Sequence, residues 1–589
     1  MANSSKKNLI RRLLTYLKPY KIPTCIAILL LIVTMFCSVI NPYLLEIAID
    51  KYIANGDFKG LFIIGGILIS LNVMSWIISY YRTHMIAKVT NEILVNIRYE
   101  LYSHIQQLSF DFFDTRPVGK ILARVIGDVN ALKDLFNQTI QSLVPEILTL
   151  VCVTFFMFLL NVKMALACLV LLPILVAAMS FIEIHSHKRW LIYREYRSNL
   201  NAFSHESFSG MKVVEAFANE ASHAETFKEH VQKMSDSFIH AVKLNDFFWP
   251  LVDLSWGAGN VIVFFIGYHL VMKGEIQIGT LLAFCMYVGM FWRPIMNLST
   301  FYNTLITNLS AAQRIFAILD ESPAIQNKDA ITGKILPAIG TIKGRVIFDH
   351  VSFSYEENVP VLEDVSFTVN PGERVALVGP TGAGKTTIVS LLSRFYEPTQ
   401  GRILIDGTDI KSVDLESLRG QMGIMLQDTF LFSTSIMENI RYGRLEATDE
   451  EVIAAAKAVN AHEFIMKMEK GYDTEVNERG SRLSLGQRQL ISFARALLAN
   501  PRILILDEAT SNIDTQTEKL VQSGIEKLLK GRTSFVIAHR LSTIRDCDKI
   551  MVINHAGIME SGTHEQLLQQ DGLYAKLYEA QYRLVSETA

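Results

Sequence analysis

Two segments of this 589-residue chain hold residue types that could do chemistry on a phosphate. The first is Gly379-Pro380-Thr381-Gly382-Ala383-Gly384-Lys385-Thr386. It follows the apolar run Val375–Val378 and precedes the apolar stretch Ile388–Phe395. Strand, glycine-rich turn and helix in that order let backbone N–H groups close around phosphate oxygens, and the helix N-terminus adds its positive end. Lys385 then reaches the outer phosphates, the Thr386 hydroxyl can ligate Mg2+, and Thr387 shares the same first turn. The second segment is Arg502–Glu508, an apolar strand that ends in two carboxylates. Asp507 suits Mg2+, and Glu508 is placed to polarise an attacking water. Phosphoryl transfer asks mainly for positioning and charge stabilisation, which these groups supply.

An α/β frame must hold these groups. After about residue 325, Pro323, Pro337 and Gly340 mark a linker, and short β-branched runs then alternate with helical stretches. The first half of the chain has a different character. Ile22–Leu45, Gly60–Tyr81, Met164–Ile182 and Ile276–Trp292 carry no Asp, Glu, Lys or Arg. Leu135–Val162 is broken only by Glu146, and Phe247–Met272 only by Asp253. A bilayer core needs about 20 apolar helical residues, so each run predicts a membrane span, six in all. The flanking segments 1–21, 82–134 and 183–246 hold twenty-one Lys and Arg, against four (Lys51, Lys59, Lys163, Lys273) on the other side. Both termini and both long loops are therefore expected on the cytoplasmic side. Those loops are amphipathic and poor in Pro and Gly, which predicts helical extensions of the spans. Breaks fall at Phe110–Gly119 and around Ser209-Gly210-Met211-Lys212.

Composition removes other classes. Charged residues make up 19% and the net charge is -2, so no basic field is offered to nucleic acid. Half the residues are hydrophobic, which excludes a disordered scaffold. The six cysteines form no CxxC pair, so a disulfide framework or zinc site is not expected. The apolar run after residue 21 is too long for a signal-peptide core, so no cleaved signal is expected. Asp253 and Arg293 lie at similar depths in spans five and six and are expected to pair as a helix–helix ion bridge, with a substrate or proton contact as the alternative. Glu146, beside Pro145, has no evident partner. Phe291, Trp292 and Met296 are expected to pack as core rather than line a cavity.

Leu483-Ser484-Leu485-Gly486-Gln487 stands about 20 residues before Asp507. With the phosphate loop, the acidic strand end and six preceding spans, the whole chain resembles an ABC exporter half-transporter of the multidrug or lipid type. The resemblance implies an all-α six-helix transmembrane domain (1–325), a linker (326–340) and an α/β P-loop nucleotide-binding domain (341–589). It implies further roles: Tyr355 stacking on adenine, Gln427 touching Mg2+ or water, Asp514 in the D-loop, and His539 facing the terminal phosphate. Gly379, Thr381, Gly382, Ala383, Gly384, Lys385, Thr386 and Thr387 would bind ATP on one side. Ser484, Gly486 and Gln487 would do so from the other, on a second chain. The breaks near Phe113 and Gly210 resemble coupling helices, and Glu478-Arg479-Gly480 resembles the segment before the signature.

Two positions depart from the family pattern. Leu485 stands where glycine is usual, and Asn512-Ile513 stand where Ala-Leu is common. They leave open whether two copies make two equal sites, and so whether the partner is a second copy or a different subunit. The resemblance implies ATP and Mg2+, an amphiphilic small-molecule substrate, a bilayer, and a cell (plasma or inner) membrane location. Rival readings are a peptide exporter, a heterodimer with one degenerate site, and an ATP-gated channel; intact Glu508 and His539 argue against the last.

Overall fold

The computed structural model describes residues 2–325, 327, 334–356, 359–425, 429–507, 515–537 and 544–587. They form two compact units. One comprises Met1–Gln106 and Val118–Glu321, the other Gln107–Pro117 and Ser322–Ala589.

The first unit is helical. Asn8–Ile53, Phe58–Gln107, Val118–Leu160, Val162–Ser209, Glu220–Met272 and Ile278–Ile295 are each long and apolar enough to cross a bilayer. The helices outrun the uncharged stretches: Phe58–Gln107 is 50 residues long, about 75 Å at 1.5 Å per residue. The second break is a short helix, Met211–Ala216, between Leu171–Ser209 and Glu220–Asn245. Opposite links are short. Asn161 alone separates Leu160 from Val162, and its side chain caps the next helix by accepting from Met164 N–H at 3.1 Å. Lys163 and Glu275 then bridge two such links at 2.8 Å.

The helices meet in a core of Val153, Met157, Cys168, Val263, Phe284, Tyr287 and Val288. Phe291 and Trp292 belong to it at 2% exposure each, so they pack rather than line a cavity. The Tyr287 hydroxyl donates to the Val39 carbonyl at 2.7 Å, which satisfies a polar atom that burial would otherwise penalise. Away from the apolar stretches, Asp128 is held by Arg314 through Nη2 at 2.5 Å and Nε at 2.9 Å, and by Arg124 at 3.0 Å. Its side chain is only 11% exposed. Arg314 and Arg124 keep partial contact with solvent, so truncating Asp128 removes charge-assisted hydrogen bonds, worth about 1.5–3 kcal/mol, rather than stranding a buried charge. Asp128→Ala is therefore expected to lower the unfolding midpoint of the detergent-solubilised chain clearly. An unchanged midpoint would show that the cluster is dispensable.

The second unit holds two sheets. Strands β1 (Val346–Glu356), β2 (Val359–Val369), β4 (Gln400–Ile405) and β5 (Thr408–Asp409) form an antiparallel sheet in the order β2-β1-β4-β5. Strands β3 (Arg374–Val378), β6 (Met422–Met425), β7 (Ile503–Asp507), β8 (Thr533–Ile537), β9 (Lys549–Asn554) and β10 (Gly557–Gly562) form the other, in the order β10-β9-β3-β8-β7-β6. All its pairings are parallel except β10 with β9. Successive strand residues face opposite sides. Val375, Leu377, Ile503, Ile505, Phe535 and Ile537 pack with Ile388 and Leu391 of the helix Lys385–Leu392. Ala376, Leu504, Leu506 and Val536 pack with Leu490 and Ile491 of the helix Leu485–Ala499. Both faces are dry, so these strands read as continuous apolar runs.

Candidate functional site

Parallel strands place their carboxyl ends on one edge, where open α/β sheets bind ligands. Leu377 of β3 is in register with Ile537 of β8, Ile537 with Asp507 of β7, and Leu506 with Met425 of β6. The loops after β3, β6, β7 and β8 therefore all leave from the same edge. Gln427, Glu508, Asp514 and His539 lie outside the described residues. The strands that precede the first, second and fourth of them end at Met425, Asp507 and Ile537.

At that edge lies a cavity of about 420 Å3, lined by Tyr355, Val361, Thr381, Gly382, Gly384, Lys385, Thr386, Thr387, Asp507 and Ile537. Residues expected from the two chemical segments and from β1 thus meet at one place. Lys385 Nζ donates to the carbonyls of Gly379 and Pro380, each at 2.8 Å. Burial pulls the Lys385 pKa below the ordinary lysine value, and the neighbouring Asp507 carboxylate opposes that shift. The turn depends on its glycines. Gly384 has φ +101°, and a Cβ there would stand 2.9 Å from Leu362 Cδ2 and 3.1 Å from the Val361 carbonyl. Gly379 and Ala383 do not line the cavity. A Cβ on Gly379 would meet the Ile553 carbonyl at 2.2 Å, and Ala383 packs on the apolar core beneath. Both are framework for the loop.

Tyr355 is half exposed and held edge-on by Phe353, with ring centroids 4.8 Å apart, and by Tyr396 at 5.1 Å. Its hydroxyl lies 3.3 Å from Thr387 Oγ1, which ties strand β1 to the first turn of the loop's helix. The result is a fixed aromatic face at the mouth of the phosphate turn. Asp507 and Thr386 contribute a carboxylate and a hydroxyl to the same cavity, hard oxygen donors of the kind Mg2+ takes.

Ser484, Gly486 and Gln487 do not line this cavity. They open the helix Leu485–Ala499 with a reciprocal cap: Gln487 N–H donates to Ser484 Oγ at 3.3 Å, and Ser484 N–H to Gln487 Oε1 at 3.0 Å. Gly486 is buried. Leu485 is the first helical residue and needs no left-handed backbone, so a leucine fits there without strain. Arg479, just upstream, does take a left-handed backbone at φ 54°.

One expectation fails. Among the described residues no ion pair joins Asp253 and Arg293. Asp253 is exposed on its helix, and Arg293 lines a cavity with Arg82 and Glu146. Similar depth does not put two residues on facing sides, since each helical step also turns about 100°. Glu146 does have a partner: Asn297 Nδ2 donates to its Oε1 at 2.5 Å. Val361 and Ile537 of the cavity at the sheet edge escaped sequence reasoning, although Ile537 could have been found as the last β-branched residue of the apolar run before His539. The first break also gained contacts that no local signal marked. It folds as the helix Phe110–Asp114, with Phe112 buried and Phe110 stacked at a tilt on Phe395, 5.2 Å between centroids. The Tyr396 hydroxyl donates to the Asp114 carboxylate. Burial first, and this carboxylate second, push the Tyr396 hydroxyl well above the usual tyrosine pKa.

Known proteins resemble this chain over nearly its whole length. Residues 24–295 match the family described as ABC transporter transmembrane region, and residues 362–511 match the family described as ABC transporter. YknV of Bacillus subtilis strain 168, described as an ABC transporter ATP-binding protein, is 42% identical over 98% of this chain and 95% of its own length. YgaD of the same organism, named for multidrug export as an ATP-binding/permease protein, is 38% identical over 97% and 99%. A solved bacterial Atm1-family ABC exporter with ATP bound superposes with TM-score 0.79 at 29% identity, over 95% of this chain and 98% of that one.

Proposed function

Since the chain belongs to the ABC transporter family, with the membrane region and the ATP-hydrolysing region in one polypeptide, we propose that it is one half of a dimeric exporter that moves amphiphilic molecules outward. The observation that carries this reading is the single cavity where Tyr355, Lys385, Thr386 and Asp507 meet at the carboxyl edge of the parallel sheet.

In this reading residues 1–325 are the membrane domain, 326–340 the linker and 341–589 the nucleotide-binding domain. The chain sits in the cell membrane with both termini and the ATPase in the cytoplasm. Tyr355 stacks on adenine. The N–H groups of Thr381–Thr387 and the Lys385 ammonium hold the phosphates. Thr386, Asp507 and Gln427 would hold Mg2+, which neutralises charge developing on the transferred phosphoryl group. Glu508 accepts the proton of the attacking water, and His539 faces the terminal phosphate. Ser484 and Gly486 complete the site of the second chain, which in return completes this one. Binding of two ATP draws the ATPases together, and hydrolysis lets them part, so the spans alternate between inward and outward access. The contacts of Phe110 and Asp114 with Phe395 and Tyr396, just beyond the helix that starts at Lys385, support a mechanical route into the membrane segments.

The test is reconstitution of this chain alone in lipid vesicles. An ATP-hydrolysing dimer that accumulates a fluorescent amphiphile in ATPase-out vesicles is expected; hydrolysis without accumulation would remove the exporter reading. Tyr355→Ala probes the site itself. Stacking of a base on an aromatic is worth about 1–3 kcal/mol and is indifferent to the base. ATP and GTP affinities should both weaken, by about 5- to 150-fold, as read by titration with fluorescent analogues. A loss confined to ATP would mean that Tyr355 reads the base edge instead.

A further inference from the structure

The first unit contains a second cavity, of about 580 Å3, within the size range of small-molecule sites. Its wall holds two guanidinium groups, Arg82 and Arg293, and one carboxylate, Glu146. Glu146 is engaged by Asn297. Among the described residues Arg82 is held only by neutral oxygens: Nη1 donates to Thr34 Oγ1 at 3.2 Å and Nη2 to Ser79 Oγ at 3.3 Å. Its Nε is buried with no hydrogen-bond acceptor among the described residues. Thr34 in turn donates to the Leu31 carbonyl at 2.9 Å, which leaves its oxygen lone pairs for the arginine. The remaining wall includes Met35, Met286 and Met290. Methionine is flexible and polarizable, so it accommodates apolar groups of differing shape.

These features belong together. Ionisable groups that line a cavity between membrane-spanning helices are costly and by default mark a transported or bound species. Two cations against one carboxylate leave an excess of one positive charge, and a hydroxyl-lined corner pre-orients Arg82. We propose that this cavity is the substrate site and that it takes amphiphiles bearing an anionic headgroup, with the acidic group between Arg82 and Arg293 and the apolar body against the methionines. This names the substrate class of the exporter proposed above and rests on that reading. The anion can come from a membrane lipid headgroup or from a free acidic amphiphile.

The experiment separates binding from pumping. The full chain, nucleotide-free in phosphatidylcholine nanodiscs, is titrated with a dansyl-labelled fatty acid and with a dansyl-labelled alkyl-trimethylammonium of equal chain length. The acid is expected to bind at least tenfold more tightly. Arg293→Gln and Arg82→Gln should each shrink that preference to about threefold or less, Arg293→Glu should reverse it, and Glu146→Gln should strengthen acid binding. The opposite signs at Arg293 and Glu146 cannot arise from general loss of fold. Equal binding of the two probes, or a preference that survives both arginine variants, overturns the proposal. Competition by added phosphatidylglycerol upholds it with a lipid as the source; absence of competition, with acid binding intact, upholds it with a free amphiphile. In ATPase-out vesicles, acid that binds but is not moved by ATP defeats the exporter reading alone. ATP-driven movement of the cation without acid binding defeats the site alone.

Discussion

Glu508→Gln is expected to cut ATP turnover by about 10²- to 10⁴-fold while ATP still binds, the range a positioned general base contributes. Glutamine keeps the size and the hydrogen-bonding reach of the side chain but cannot accept the water proton. Asp507 is left untouched, so the oxygen donor at the end of β7 stays in the cavity. Phosphate release and retention of a fluorescent ATP analogue are measured side by side. The variant should hold nucleotide and accumulate as an ATP-bound dimer. Turnover within a few-fold of the parent would move the base elsewhere, with His539 the next group to test.

Lys385→Ala acts one step earlier. The residue is buried, at 7% exposure, and the attachment of its ammonium to two loop carbonyls holds that group across the phosphate turn. Truncating one member of a buried charge pair costs about 2–5 kcal/mol, so ATP affinity should fall by roughly 30-fold or more, and hydrolysis with it. Lys385→Arg is the control. A guanidinium keeps the charge but is planar and bulkier, so a turn fitted to an ammonium should not be rescued by it. Recovery of affinity by arginine would show that charge alone matters. The two variants are expected to be non-additive: once binding is lost, removing the base as well has nothing further to remove.

The chemistry of the second unit was legible because it is local. Gly379–Thr386 holds its own turn, helix start and ammonium within eight residues, and the strand before it is an unbroken apolar run. The six spans were legible for the same reason, as uncharged stretches of the right length. What was not legible depends on rotation or on distance along the chain. Asp253 and Arg293 are expected at one depth, yet among the described residues no ion pair joins them, because azimuth around a helix is set by packing that no short window records. Arg82 reads in sequence as the first residue after an apolar run, yet it bonds Thr34, 48 residues away, and so joins a cavity wall. The partner of Asp114 is Tyr396, 282 residues along the chain. Gly379 and Ala383 belong to the phosphate motif by spacing, but one is there to let a neighbouring strand's carbonyl pass and the other to fill the core.

The eleven residues from Gln107 to Pro117 belong to the second unit although both of their neighbours in the chain belong to the first. The polypeptide therefore crosses between the units three times, not once. A soluble ATPase cut at the linker would lack Phe110, Phe112 and Asp114 and would expose the bare side of Phe395 and Tyr396. Grafting this ATPase onto another membrane region by a single splice would likewise leave that pocket facing a foreign sequence. Modularity in this protein is thus three-dimensional rather than linear: a chimera that keeps the unit whole needs a second, upstream exchange of those eleven residues.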